Sequence, residues 1–289
     1  MGTRGSTLAL AQARWVAGRL DGEAEVVTVT VAGDRGAAVG DKSRWISELE
    51  QALLDGRVDL AVHSAKDVPS ELAPGLELVA IPERVDARDA ICGAPALRAL
   101  APGARVGTSS LRRAAQIRAE RPDLEVLPVR GNVDTRLRKL AEGECDALVL
   151  ALAGLLRLGR EEAAGGVLDE LVPAAGQGAL ALEARAAAAE VADALSALSD
   201  PVASACVGAE RELVRALGAS CNTAVGAHAR ALGSGELELT AWVGLPDGSE
   251  WLRDELRGAA GSGLGLAVAE RLLAAGAGEL LRAAEAQSS

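Results

Sequence analysis

Residues 105–120 read RVGTSSLRRAAQIRAE. A short apolar stretch at Arg105-Val106-Gly107 meets three hydroxyl residues, Thr108-Ser109-Ser110, and then a helical run over 111–120. A serine just ahead of such a run is a helix N-cap, here Ser109 or Ser110. Strand, polar loop and helix in that order open a βαβ unit, and the pattern recurs on both sides. Strands are expected at 25–31, 58–62, 76–81, 105–107, 125–129 and 147–151, and helices at 45–54, 111–120 and 133–141. This alternation predicts an α/β fold with a mainly parallel sheet. A short echo extends it. Gly2-Thr3-Arg4-Gly5-Ser6 opens a helix containing Ala11-Gln12, as Gly107-Thr108-Ser109-Ser110 opens one containing Ala115-Gln116, so two similarly built α/β domains are expected.

The chain changes character near Pro201. A helix at 203–217 precedes strands at 225–231, 236–244 and 251–256, with a turn at Pro246-Asp247-Gly248 and a helical end at 264–286. Adjacent strands flanked by helices predict a small α+β domain. The GxGxG run within 258–265 follows no nucleotide-binding strand with a later acidic partner, so it reads as a flexible entry to the last helix.

Length and composition bound the function. The 289 residues allow two or three domains and a core large enough to need neither metal nor disulfides. Four Trp with no Tyr or Phe leave Ala, Leu and Val to build that core. A net charge of −11 argues against general nucleic-acid binding, and the missing aromatics remove stacking platforms for single strands. No run of 18 apolar residues is present, so no membrane span is expected. The N-terminus lacks the layout of a secretory signal. Met1-Gly2 with Ser6 fits the loose myristoylation pattern, but the same residues have a better use in the loop-to-helix opening. Cys92, Cys145, Cys206 and Cys221 form no CxxC pair, and His63 and His228 are the only histidines. No metal site is expected, and a reducing cytoplasm is the default.

The basic residues gather where the net charge hides them. Between 105 and 139 stand Arg105, Arg112, Arg113, Arg118, Arg121, Arg130, Arg136, Arg138 and Lys139, against Glu120, Asp123, Glu125 and Asp134. Arg112 and Arg113 fall in the first turn of a helix, where each cation opposes the helix dipole by about 0.3–1 kcal/mol. An anion held by the free N–H groups and both guanidiniums reverses that cost; the plainer alternative is a solvated basic face. Arg130-Gly131-Asn132 ahead of Arg136, and Arg4 with Ser6 at the first helix, repeat the layout. Such loops lie at the carboxyl ends of parallel strands, where open α/β sheets bind ligands. Three of them rich in Arg, Ser and Thr point to a ligand carrying several carboxylates or phosphates, and no GxxxxGK[ST] favours a nucleoside triphosphate.

Two further places carry chemistry. Val62-His63-Ser64-Ala65-Lys66-Asp67 ends a strand, and in an extended chain Lys66 and Asp67 diverge. One then binds an anion while the other stabilises a developing cation, or the two are an ordinary surface pair. His63 is either a general base or a satisfied structural histidine. Cys221, in a small-residue loop between helix and strand, is either a nucleophile or attachment point or inert packing. Cys92, Cys145 and Cys206 lie within apolar elements and read as packing.

Taken in order, these motifs resemble the porphobilinogen deaminase (hydroxymethylbilane synthase) family. The resemblance rests on GTRGS with LALAQ at 2–12, HSAKDVP at 63–69, GTSSLRR at 107–113, RGNVDTRL at 130–137, LALAGLLRL at 150–158 and PAAGQGALALE at 173–183. It implies two domains of the type II periplasmic-binding-protein fold plus a small C-terminal α+β domain, divided as 1–86 with 178–198, 90–173 and 200–289. It implies a transferase of porphyrin and heme biosynthesis that joins four porphobilinogen molecules head to tail into hydroxymethylbilane, releasing ammonia. The growing chain is anchored on a dipyrromethane cofactor held by a thioether, at the position matching Cys221.

The resemblance also assigns residues. Asp67 matches the catalytic aspartate. Arg4, Ser6, Gln12, Ser64, Lys66, Thr108, Ser110, Arg112, Arg113, Arg130, Gly131, Asn132, Arg136, Ala151 and Arg157 match cofactor and substrate contacts. Lys42 and Trp45 match a mobile lid. A cytoplasmic monomer that binds porphobilinogen, without nucleic acid or membrane, is the corresponding expectation. Departures from the pattern are a start at the first motif, so that either the usual leading strand residues are missing, which is expected to weaken the edge of the first sheet, or the start is misassigned; a short lid stretch at 33–42 with Ala38 near a usual lysine; and Ala224 in place of a proline. The competing readings are a non-catalytic organic-anion-binding protein of the periplasmic-receptor fold and a nucleic-acid module built on the arginine-rich segment.

Overall fold

The computed structural model describes residues 1–20, 24–30, 47–219 and 223–288, and its strands form three separate sheets. The first sheet begins with β1 (Gly2–Thr3), followed by α1 (Thr7–Ala17), β2 (Val27–Thr28), α2 (Ser47–Leu54), β3 (Ala61–Ser64) and β4 (Leu76–Ala80). The chain then enters the second sheet as β5 (Asp89–Cys92) and continues through β6 (Arg105–Gly107), α3 (Leu111–Glu120), β7 (Glu125–Leu127) and α4 (Val133–Ala141). That lobe closes with β8 (Ala147–Ala151), α5 (Leu152–Arg157) and β9 (Gly166–Leu168). The chain returns to the first sheet as β10 (Leu180–Arg185), followed by α6 (Ala189–Ser196).

The two sheets have one topology. In the order β2-β1-β3-β10-β4, β1 is parallel to both neighbours and β10 is antiparallel to both of its own. In the order β7-β6-β8-β5-β9, β6 and β5 play those same two parts. The openings at Gly2 and Gly107 thus occupy equivalent positions, which accounts for their echo. The sheets are mixed rather than mainly parallel, because β5 and β10, the strands that follow each crossing between lobes, enter antiparallel. Gly2–Thr3 is an interior strand, so the start of the chain does not form the sheet edge.

Several boundaries move. The strand expected over 58–62 pairs instead at Ala61–Ser64, because its ladder is set by β10, with Leu180 opposite Ser64 and Glu183 opposite Ala61. Of the strand expected over 25–31, Val27–Thr28 pair among the described residues, at the sheet edge and with Val27 exposed. Helices α3 and α4 and strands β6 and β8 fall on their expected residues.

The third lobe runs α7 (Pro201–Ala216), β11 (Ala224–Gly233), β12 (Glu236–Gly244), β13 (Trp251–Ala259), α8 (Leu264–Ala274) and α9 (Ala277–Ser288). Its antiparallel sheet packs Leu237, Leu239 and Val243 against Leu213, Val268 and Leu272 of the helices. The single helix expected at the end is two, broken at Gly276 with φ 104°. The GxGxG run enters α8, whose first amides are held by Glu212: Gly265 N donates to its Oε2 at 2.9 Å. The carboxylate on that helix start comes from the chain itself, not from a nucleotide. The cores are built mainly of Ala, Leu, Val and Ile, with Trp242 as a buried aromatic, in keeping with the absence of Phe and Tyr. No helix among the described residues is long and apolar enough to cross a membrane.

Candidate active site

The helix starts that the sequence marks are capped as their polar residues demand. Ser6 accepts from Ala9 N at 3.2 Å, Ser110 from Arg113 N at 3.4 Å and Asn132 from Thr135 N at 2.8 Å. A capping hydroxyl that accepts an amide still has its own proton to donate, so Ser6 and Ser110 remain able to bind an anion. Ser109 is not the cap; its Oγ donates to the Val129 carbonyl at 2.6 Å. Thr108 is buried, its Oγ1 accepting from Ser110 N at 3.2 Å. Gly131 has φ 122°, the positive value that the turn between Arg130 and Asn132 requires. Arg130 is exposed, Ala151 precedes α5 as its N-cap, and Arg4 is half-buried.

In the first lobe Gln12 and Ser64 meet, Gln12 Nε2 donating to Ser64 Oγ at 2.9 Å and so tying α1 to β3. Residues Ala65–Asp67 form one 3₁₀ turn rather than the extended strand end expected. With about three residues per turn, neighbouring side chains leave about 120° apart, so Lys66 and Asp67 still diverge. Lys66 Nζ lies 3.5 Å from Gln177 Oε1. His63 is buried, its Nε2 2.8 Å from Glu183 Oε2, which gives it a structural partner inside the sheet.

Gln177 and Asp89 belong to the site although sequence reasoning passed over both. Asp89 is fully buried and faces two guanidiniums: Arg112 Nη2 to Oδ2 at 2.8 Å and Arg113 Nε to Oδ1 at 3.0 Å. Burial opposes its charge, but the adjacent Arg112 and Arg113 overcome it and hold the carboxyl well below the usual range. The anion that offsets the helix dipole at Arg112 and Arg113 is therefore part of the chain. Gln177 bridges the lobes: its Oε1 accepts from Arg113 Nη2 at 3.3 Å, and its Nε2 donates to the Ala87 carbonyl at 2.6 Å and Asp89 at 2.7 Å. The lobes also touch at Gly154 of α5, where an added Cβ would meet Leu8 of α1 at 3.8 Å.

The positive charge here is not balanced. Arg112 Nε is buried with no hydrogen-bond partner. Arg136 donates only to the Gly131 carbonyl at 2.7 Å, and Arg157 only to the Gly178 carbonyl at 2.8 Å. Among the described residues neither is paired with a carboxylate. Burial, and for Arg136 the nearby Arg113, lowers both guanidiniums, Arg157 to about 10, so both stay charged at neutral pH. Arg112 and Arg113 thus share one buried carboxylate, Asp89, while Arg136 and Arg157 add two further charges. A ligand with several carboxylates fits that imbalance and the open donor on Arg112. The dipyrromethane primer implied above is such a molecule.

The two crossing segments are tied to each other and to α7, and the second packs against the turn that carries Asp67. Arg84 donates to Gln177 O at 2.9 Å and to Glu210 Oε1 of α7 at 2.6 Å, while Glu210 accepts Gly176 N at 2.6 Å and Ala229 N at 2.7 Å. Gly176 has φ 73°, and a Cβ there would sit 2.8 Å from Ala65 C and 2.9 Å from Lys66 N. Gly176→Ala is therefore expected to destabilise the protein by about 1–3 kcal/mol and to displace the turn, lowering kcat. Thermal unfolding and steady-state kinetics check this; an unchanged melting temperature with unchanged kcat would contradict it.

Cys221, Lys42 and Trp45 lie outside the described residues. Cys92, Cys145 and Cys206 are buried, as packing residues. No group of three or more potential metal ligands occurs among the described residues.

Two α/β lobes of one topology, each opening helices at hydroxyl- and arginine-bearing loops, and a third α+β lobe define the architecture, and sequence relatives give the family. The family model for the porphobilinogen deaminase dipyrromethane cofactor binding domain matches residues 1–193, and that for the porphobilinogen deaminase C-terminal domain matches 204–274. Porphobilinogen deaminase of Deinococcus radiodurans is 45% identical, covering 98% of this chain and 97% of that protein. The enzyme of Roseiflexus castenholzii is 48% identical, covering 97% of each, and that of Sorangium cellulosum 50%, covering 89% and 90%. The chain belongs to the porphobilinogen deaminase family, and hence to the transferases. Among solved structures it is similar to an ABC transporter periplasmic substrate-binding protein from Coxiella burnetii (TM-score 0.42, 14% identity, 70% of this chain and 92% of that one). Immunogenic lipoprotein A from Vibrio vulnificus is similar at TM-score 0.40 and 12% identity, over 68% and 93%.

Proposed function

We propose that the protein joins four porphobilinogen molecules head to tail into hydroxymethylbilane, each addition releasing one ammonia and water closing the product. The observation that carries this reading is the excess of guanidinium over carboxylate: the buried Arg112 and Arg113 share Asp89, and the half-buried Arg136 and Arg157 have no carboxylate partner among the described residues. Each pyrrole brings an acetate and a propionate, so the ligand supplies the anions the cleft lacks.

When bound through Cys221, the dipyrromethane supplies the nucleophilic pyrrole carbon that receives the first substrate. Ser6, Ser110 and the amides of their helices bind carboxylates at the starts of α1 and α3. Arg4, Lys66, Thr108, Arg130, Gly131, Asn132 and Ala151 line the same cleft, and Gln12 with Ser64 fixes its floor. As ammonia departs from a substrate aminomethyl group, positive charge spreads to the pyrrole nitrogen. Asp67 faces that N–H, stabilises the charge as it develops, and accepts and returns the proton. Lys66, leaving the 3₁₀ turn in another direction, pairs a carboxylate.

The domain limits 1–86 with 178–198, 90–173 and 200–289 belong to the same reading, supported by three separate sheets. So do a monomeric state and a cytoplasmic location without nucleic acid or membrane partners. Incubation with porphobilinogen tests the function: one ammonia per substrate consumed, and one hydroxymethylbilane per four, are expected. Binding of porphobilinogen without ammonia release would return the chain to a non-catalytic organic-anion-binding protein.

A further inference from the structure

Helix α7 carries two adjacent charged residues that reach different parts of the chain. Glu210 gathers Arg84, Gly176 and Ala229, as described above. Arg211 turns to the first lobe, donating from Nη1 to the Val68 carbonyl at 3.2 Å and from Nη2 to the Pro69 and Ser70 carbonyls at 2.7 and 3.3 Å. These are the three carbonyls that directly follow Asp67. Arg215, one turn further along α7, adds a bond to Ser70 O at 3.2 Å.

Val68 and Leu72 pack on the core and Ala73 N donates to Glu50 Oε1 at 3.2 Å, and the clamp acts on the carbonyls between those anchors. A hollow of about 530 Å³, lined by Ser70, Leu72, Pro74 and Arg211, borders this segment on one side. On that side the carbonyls of Val68, Pro69 and Ser70 are held by the hydrogen bonds from α7. Among the described residues Arg211 forms no ion pair with a carboxylate, so its guanidinium serves those carbonyls. Burial lowers its pKa, as does the neighbouring Arg215, which fits a cation taken out of water to donate to main chain. The same helix ends at Ala216, shortly before Cys221. One rigid element thus leads to the attachment cysteine and grips the segment after the acid.

We infer that Arg211 is a positioning residue, whose planar fork holds the carbonyls of Val68, Pro69 and Ser70 so that Asp67 keeps its place in the cleft. The inference rests on the role proposed for Asp67. A lysine keeps the charge but is a point donor on a flexible stem and cannot span three carbonyls.

The test is a kinetic cycle on the full-length holoenzyme with Arg211→Lys, Asp67→Asn and the double variant, and Arg211→Gln as a second probe. Misplacing a catalytic group by about 1 Å costs up to about a hundredfold, so Arg211→Lys is expected to lower kcat about tenfold or more. KM and the intact mass of the primed protein should not change, and amide hydrogen exchange over 66–71 should accelerate. In the Asp67→Asn background Arg211→Lys should cost little further. Wild-type kcat in a folded Arg211→Lys or Arg211→Gln variant would overturn the inference, as would full multiplication of the two losses in the double variant. Near wild-type turnover of Asp67→Asn alone would remove the role of Asp67 and the inference with it, which separates the two failures.

Discussion

Asp67→Asn is expected to retain the dipyrromethane primer and to lose turnover by about 10²–10³-fold, the range seen when one preorganised electrostatic group is removed from an active site. The amide is nearly the shape of the carboxylate, so the 3₁₀ turn Ala65–Asp67 and its clamps at Gly176 and Arg211 should persist. On the role proposed for Asp67, what disappears is the negative charge that faces the pyrrole nitrogen as ammonia leaves. The loss should appear in kcat, with KM close to the parent value, because Arg and Lys side chains bind the carboxylates. Intact mass and steady-state kinetics on the same preparation read both parts. Turnover near the parent value would remove Asp67 from the mechanism.

Asp89→Asn should have the largest effect on stability. The change leaves Arg112 and Arg113 buried without their counter-charge, and breaking a buried ion pair from one side costs about 3–5 kcal/mol. For a chain of this size each kcal/mol moves the melting temperature by roughly 2–4 °C, so a drop on the order of 10 °C is expected. The pH dependence has a defined sign. The folded carboxyl of Asp89 is held well below the unfolded value near 3.9, so its stabilisation is fully present above about pH 4. It is lost as the pH falls from there through the folded pKa. The gap in stability between parent and Asp89→Asn should therefore be constant from neutral pH down to about pH 5 and narrow below pH 4. A variant as stable as the parent at neutral pH would contradict the assignment of Asp89 as the anion of this cluster.

The parts of this site that could be read from sequence are those decided locally. Helices α3 and α4 begin where Ser110 and Asn132 cap them, and both capping and periodicity act within a few residues. Strands β5 and β10 escaped notice because both are almost wholly buried, giving no alternation, and because their pairing is remote: Asp89 lies opposite Ala151, and Leu180 opposite Ser64. Asp89 itself sits in an ordinary charged run, ERVDARD at 83–89, and nothing nearby marks it as the partner of Arg112 and Arg113. Two signals were available and unused. Gln177 is the one polar side chain in the small-residue run at 173–182. Glu210 lies on the helical stripe shared with Cys206, Val207 and Leu213, where a charge demands a partner. The resemblance placed Arg112 and Arg113 toward a ligand; their internal counter-ion needed the fold.

The direct test of the account is the intact mass of the protein purified from a host that makes porphobilinogen, beside that of Cys221→Ser. The account predicts a parent protein heavier than its sequence by two pyrrole units, a further discrete increment for each porphobilinogen added, and an unmodified Cys221→Ser variant. A parent protein at its sequence mass that neither gains pyrrole units nor releases ammonia with porphobilinogen would contradict it.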